Sequence, residues 1–314
     1  MFVEVAAPPR PMDKAIKAAR PSLPRAIRRA APPYLYLAPA LILLGIWVYR
    51  PLAQTAQLSF YSWNLLPTTP MEPVGLDNYR RMMDSPELGD ALWRTLEVIL
   101  GLLPFSIVIP VVVGLLTRRL GGRSRAVYQA LVFSPMLVAP VAGAAVWGWL
   151  LDPRGGVVDR ATGTSVNWLQ ESGYAQVAII MITGWHVLGF AVLVVAAALS
   201  GINGDYADAA ALDGASRGQI TRWITLPLLS PTLVFLTLMT VLLSAQWTFP
   251  LIDSLTQGGP ADSTTNVYYL LWDYGFRSYD AGMGAAAGML LFVGFGLVAA
   301  ALVWLSERLA FHDN

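Results

Sequence analysis

Asn203-Gly-Asp-Tyr-Ala-Asp-Ala-Ala-Ala-Leu-Asp-Gly-Ala-Ser-Arg-Gly-Gln-Ile-Thr-Arg-Trp-Ile-Thr-Leu-Pro227 is a polar island between two apolar runs. Its residue types predict two short helices with a turn between them. Asn203 is a capping residue for the first helix, and Asp205 and Asp208 sit near that helix's N-terminus, where the macrodipole favours negative charge. Gly214 falls where the chain reverses and a Cβ would be strained. Ser216 with Gln219 three residues on forms the pattern of a capping box for the second helix. Pro227, ahead of Pro231, marks the entry to the next apolar run. A pair of helices this small has almost no core of its own, so it is built to dock against something.

The surrounding composition says where this island sits. Of 314 residues, 55% are hydrophobic and 13% charged, about half the charged fraction of a soluble domain, roughly 25%. Six apolar runs reach the length of about 20 residues that a helix needs to cross a bilayer: 34–52, 96–117, 126–151, 175–200, 231–252 and 282–305. The fold class expected is therefore an all-α integral membrane protein with six transmembrane helices. Pro104, Pro110, Pro135, Pro140 and Pro250 lie in or at the ends of these runs, where neighbouring helices can satisfy freed carbonyls. Residues 1–33 carry seven Lys or Arg against two acids, with seven prolines and no apolar periodicity. They are expected to form a disordered basic tail with one short helix near Lys14–Arg20, and 34–314 the transmembrane domain. Lysine and arginine divide fourteen to seven between the two sides, with Arg50 counted on the poorer one. The positive-inside rule then puts both termini and residues 203–227 in the cytoplasm of a bacterial plasma membrane protein.

The island carries a specific pattern: an acid-Ala-Ala triplet, three residues, Gly, nine residues, Ile, one residue, Leu-Pro. Asp208, Ala209, Ala210, Gly214, Ile224, Leu226 and Pro227 occupy those positions. This resembles the EAA loop of ABC-importer permeases, and the flanking Leu212-Asp213-Gly214-Ala215 and Thr225-Leu226-Pro227-Leu228 resemble its carbohydrate (maltose-type) branch. Asp208 stands where that family usually has Glu, which keeps the charge and shortens its reach by one methylene. A second segment, Gln257-Gly-Gly-Pro260 followed by Tyr268, Tyr269, Phe276 and Tyr279-Asp280-Ala281-Gly282, is similar to the stretch after the fifth span of sugar-importer permeases. The likeness runs from about Tyr34 to Leu305.

The resemblance implies a type I importer permease whose loop forms the coupling helices seated on a separate ATPase subunit. Asp208, Asp213 and Arg217 would meet charges there, with Asp205 in the same coupling loop, and Leu212, Ile220 and Trp223 would supply apolar contact. The partners implied are a second homologous permease in a heterodimer, two ATPase subunits and an extracytoplasmic solute-binding protein. Aligned outward from the loop, Val187 and Phe190 on the preceding helix and Ser244, Trp247 and Thr248 on the following one match the solute pathway, with Trp185, His186 and Gln246 as neighbours. Aromatic faces and hydroxyls suit a polyol, while Trp185 and Trp247 can equally be read as bundle packing. Trp147-Gly-Trp149 and Phe60–Trp63 read as membrane–water anchors.

Several chemistries are excluded or disfavoured. The chain has no cysteine and two histidines, His186 and His312, which leaves no zinc or thiol site. No Gly-x-x-x-x-Gly-Lys-Ser/Thr loop is present, so the chain binds no cofactor, is not an enzyme, and ATP and magnesium belong to the partner ATPases. Sugar or polyol import is the leading reading and glycerol-3-phosphate or glycerophosphodiester import the second. A multispan lipid-sugar transferase would need paired acids, whereas Asp77, Asp84, Glu87 and Asp90 are irregularly spaced. A secondary transporter would want acids within the spans, whereas Glu97 and Asp253 lie at span ends.

Overall fold

The structure is a computed structural model that describes residues 36–118, 120–163 and 166–309, with side chains to 305. The basic tail and its short helix lie outside the described residues. The chain separates after Gln54 into two units. The described part of the first is an apolar helix, α1 (Tyr36–Leu58, which runs four residues into the second unit). None of its described side chains is fully buried, and Trp47 and Leu41 are exposed.

The second unit holds the rest. A two-residue ladder, β1 (Tyr61–Ser62) with β2 (Glu72–Pro73), is antiparallel and leads to α2 (Asp77–Asp84). Then come α3 (Pro86–Thr117), α4 (Gly122–Leu137), α5 (Pro140–Leu150) and the short α6 (Val157–Thr162). The long α7 (Ser172–Gly201) runs to the polar loop, where α8 (Gly204–Leu212) turns into α9 (Arg217–Thr256). The short α10 (Val267–Trp272) and α11 (Ala281–Leu309) complete the unit.

Helix α7 is the centre of the bundle, with half of its most apolar window buried. Small residues bring its neighbours in. A Cβ on Gly184 would fall 2.5 Å from the Phe105 ring of α3, and one on Gly189 would fall 2.4 Å from the Val132 carbonyl of α4. Two apolar clusters form along it: Ile179 and Ile182 with Ala144, Leu251 and Tyr269, and, nearer the polar loop, Ala191, Val195 and Leu199 with Val111 and Leu236. Within hydrocarbon such contacts hold by close packing rather than by escape from water.

All five long apolar helices fall on predicted runs; α3 and α9 reach well beyond 96–117 and 231–252, while α7 starts three residues before 175–200 and ends one after it. The run 126–151 is not one straight helix. It breaks between Leu137 and Pro140, and α4 and α5 meet at 93°. Pro135 lies in a tight turn, Ser134–Leu137, and Pro140 is the first residue of α5, so neither can donate to a continuous ladder. The second short helix of the loop also differs from expectation. It is the first turn of the 40-residue α9, which passes through Pro227 and Pro231 without ending.

A wider, π-type turn at Thr221–Thr225 immediately precedes the α-helical stretch in which Pro227 is an early residue. The same device appears at Gly45–Tyr49 ahead of Pro51 and at Pro104–Val108 ahead of Pro110. One extra residue in the turn gives the proline ring room where it would otherwise strike the carbonyl four residues back.

At the end of the unit opposite the polar loop, Asn266 is fully buried and caps α10 by accepting from the Tyr269 N–H at 2.9 Å. Its amide donates to Thr248 Oγ1 on α9 at 2.7 Å, and the Val267 N–H donates to Thr95 Oγ1 on α3 at 3.1 Å. Two adjacent residues, Asn266 and Val267, therefore tie α10 to α9 and to α3, which is why the loop between α9 and α11 is packed rather than loose.

Candidate functional site

The polar loop folds as its residue types dictate. Asn203 Oδ1 accepts from the Asp205 N–H at 3.0 Å, opening α8. At its close, the Ala215 N–H donates to the Ala210 carbonyl at 2.9 Å and the Gly214 N–H to the Ala211 carbonyl at 3.1 Å. This pair of bonds is a Schellman turn, which requires a left-handed residue, and Gly214 supplies it at φ +85°. Ser216 then makes the full capping box: its hydroxyl accepts from the Gln219 N–H and its own N–H donates to Gln219 Oε1 at 2.7 Å.

What the loop presents is an outward face. Asp205, Asp208, Ala209, Asp213, Gly214 and Arg217 are exposed, and Leu212 is 90% exposed. None of Asp208, Asp213 and Arg217 forms an ion pair with another described residue. Trp223 is 69% exposed, with the Arg222 guanidinium 5.3 Å from its ring. Ala210, Ile224, Leu226 and Pro227 are half-buried, and Leu226 packs on the cluster around Leu229. The matched positions thus divide into a displayed set on and beside α8 and a set that roots α9 in the bundle. A leucine held out in water beside unpaired charges is what a docking surface looks like before its partner arrives.

The residues matched to a solute pathway do not all meet. Trp185, His186 and Trp247 line one small cavity, about 40 Å³, together with Val138, Pro140, Gly143, Trp147 and Thr183. Val187, next after His186, is buried without lining the cavity, and Phe190 packs into the apolar cluster nearer the loop. Ser244 and Thr248 are fully buried. Thr248 returns its hydroxyl to the Ser244 carbonyl at 3.0 Å and takes the Asn266 amide at 2.7 Å. Gln246 is exposed on the far side of α9 from these two.

Sequence reasoning missed the break between α4 and α5, Thr183 and the role of Trp147. Trp147 is half-buried and stacks edge-to-face on Trp185, with centroids 5.6 Å apart, whereas Trp149 is exposed. Pro135 and Pro140, flanking Val138-Ala139, were the available signal.

A larger polar recess of about 300 Å³ lies at the opposite end from the loop, between Glu87, Asp90, Asp262, Asp273, Tyr269, Tyr274 and Arg277. Arg277 pairs with Asp273 at 3.3 Å, and Tyr274 donates to the Glu87 carboxylate. Burial, reinforced by that carboxylate, pushes the Tyr274 phenol up to about 12, so it stays protonated and donating at neutral pH.

With that geometry in place, comparison with known proteins is specific. Residues 89–311 match the family described as the binding-protein-dependent transport system inner membrane component. The sn-glycerol-3-phosphate transport system permease protein UgpA of Pectobacterium atrosepticum is 30% identical over 264 residues, covering 82% of this chain and 88% of its own length. Its namesake from Shigella flexneri is 31% identical with the same coverage. The fold is similar to a chain in the crystal structure of a bacterial ABC transporter involved in the import of the acidic polysaccharide alginate. The TM-score is 0.78 at 24% identity, over 92% of this chain and 99% of that one. A chain of the alginate transporter in complex with an alginate pentasaccharide-bound periplasmic protein gives 0.77 at 23%, over 92% and 98%. The chain belongs to the binding-protein-dependent transport family. It is a multi-pass inner-membrane permease subunit with the type I importer fold.

Proposed function

We propose that this permease subunit carries a sugar, or a related polyol such as a glycerol phosphate, into the cell, and that ATP hydrolysed by separate subunits drives it. The observation that carries this reading is the continuity of the polar loop with α9. The displayed face of α8 and the start of α9 sit at one end of a 40-residue helix, and Trp247, on the wall of the cavity, sits near the other. A push on the loop has a rigid path to the solute side.

In this assembly the chain pairs with a second, homologous permease, two ATPase subunits and a solute-binding protein. Asp205, Asp208, Asp213 and Arg217 orient the ATPase, because exposed charges give direction more than affinity. Leu212 fills an apolar hollow in it. The lysine and arginine bias supports a cytoplasmic loop and cytoplasmic termini, on the side where ATP is found. The chain itself binds no cofactor, and ATP with magnesium is held by the partners. The glycerol-3-phosphate relatives favour a phosphorylated polyol and the alginate transporter an acidic sugar polymer, so a hydroxylated, acid-bearing solute is common ground.

The reading is tested by placing a cysteine at Leu212 and cross-linking the assembled complex in membranes. A cross-link from L212C to an ATPase subunit is expected. Cross-linking only to other membrane proteins would remove the loop from the coupling path.

A further inference from the structure

At the polar-loop end of the unit, where α3 ends, α4 begins and α7 ends, a cavity of about 30 Å³ is lined by Thr117, Arg118, Arg125, Tyr128, Gln129 and Ser200. Gly114 lets the two long helices close on each other there, since a Cβ on it would fall 3.0 Å from the Leu199 side chain of α7. The charge around the cavity has one sign. Arginines stand at 118, 119, 123 and 125, and no Asp or Glu occurs between Glu97 and Asp152. Arg118, Arg123 and Arg125 form no ion pair with another described residue.

An arginine that only holds a helix end at the membrane surface needs nothing but water around it. Two groups here are arranged otherwise. The Ser200 hydroxyl donates to the Ala196 carbonyl at 2.8 Å and accepts from Arg125 Nη2 at 3.1 Å. One guanidinium is thereby tethered from α4 to α7, with N–H groups to spare for a further acceptor. Tyr128, three residues on from Arg125, has its hydroxyl oxygen buried and hydrogen-bonded to no described protein atom. A buried phenol without a partner is costly, so an acceptor is favoured beside it.

The wall narrows what that acceptor can be. It offers two guanidiniums and a phenol and contains no carboxylate, which suits an anion with several oxygens. The volume has room for about one phosphate oxygen, so the rest of the group stays outside, against the exposed arginines. On the same helix ends Leu116, Val127 and Leu131 are exposed, which gives acyl chains a surface to lie on.

We propose that this corner holds the phosphate of an anionic phospholipid from the leaflet on the polar-loop side. Arg118 and Arg125 pair with the phosphate, and Tyr128 donates to one of its oxygens. The surrounding arginines repel the ammonium of a zwitterionic headgroup, so an acidic lipid is preferred. Basic pockets between membrane helices suit such headgroups. None of the residues matched to the solute or to the ATPase takes part, so the proposal goes beyond the transport reading and stands whichever solute is carried.

The test uses the full chain purified with the subunits that assemble with it, stripped of lipid in nonionic detergent. It is titrated with phosphatidylglycerol or phosphatidylcholine, and bound lipid is counted by native mass spectrometry. Phosphatidylglycerol is expected to be preferred. Arg118→Gln with Arg125→Gln should weaken one of its sites about thirtyfold, from two basic residues beside an anionic surface. Tyr128→Phe, which leaves the charge alone, should weaken the same site about fivefold, the worth of one hydrogen bond. Excess inorganic phosphate should leave the lipid bound. Equal retention of the two lipids would overturn the inference, and so would displacement by inorganic phosphate, which would assign the site to a soluble anion. If the double variant fails to assemble, Tyr128→Phe decides: parental affinity in it would mean that the phenol meets no lipid.

Discussion

At Gly214 the backbone sits at φ +85°, and a Cβ there would meet no atom within 4 Å. Space is therefore not the constraint; the backbone conformation is. A β-branched residue in the left-handed region costs about 1–2 kcal/mol, which is small against the packing of the spans but large for a turn held by two hydrogen bonds. Gly214→Val should leave membrane insertion and expression intact and abolish solute-stimulated ATP hydrolysis in the reconstituted complex. Stimulation at the parental level would mean that the angle between α8 and α9 does not matter. Cap residues and the left-handed glycine were legible in the sequence because each acts within three or four residues of itself. Thr183, whose buried hydroxyl bonds to no described protein atom, was not, because a hydroxyl becomes conspicuous only when its own helix fails to satisfy it. Thr248 shows the reverse: matched to a solute pathway by position, it is already committed to Asn266, eighteen residues away.

Among the elements, α9 gives the clearest lesson. Prolines at 227 and 231 suggest a boundary, and a boundary would isolate the loop from the span. The π-type turn at Thr221–Thr225 accommodates the first of them, and the helix continues. Spin labels at Arg217 and Gln246, 29 residues apart, should therefore report a single narrow distance near 43 Å at about 1.5 Å per residue. A broad or two-peaked distribution would place a hinge at the prolines and break the rigid path. The same reasoning explains the run 126–151 in the opposite sense. There the prolines stand five residues apart with a tight turn between them, no widened turn accommodates either, and α4 and α5 part at 93°. Hydropathy located these runs because length and apolarity are one-dimensional properties. It could not tell a continuous helix from a broken one, because that depends on whether a turn can widen ahead of the proline.

For the molecule as a whole, the displayed loop and the cavity have meaning only through partners. Leu212 stands out in water, the loop charges are unpaired, and the cavity is too small to hold a sugar by itself. All three describe one subunit of a larger machine, in agreement with its family. The measurement that tests this most directly is ATP hydrolysis by the complete assembly in nanodiscs, with its binding protein present. The panel would span mono- and disaccharides, glycerol 3-phosphate and glycerophosphodiesters. The account predicts that one of these solute classes stimulates hydrolysis and that the stimulation requires both this chain and the loaded binding protein. Hydrolysis indifferent to every solute, or ATPase subunits that fail to assemble with this chain, would contradict it.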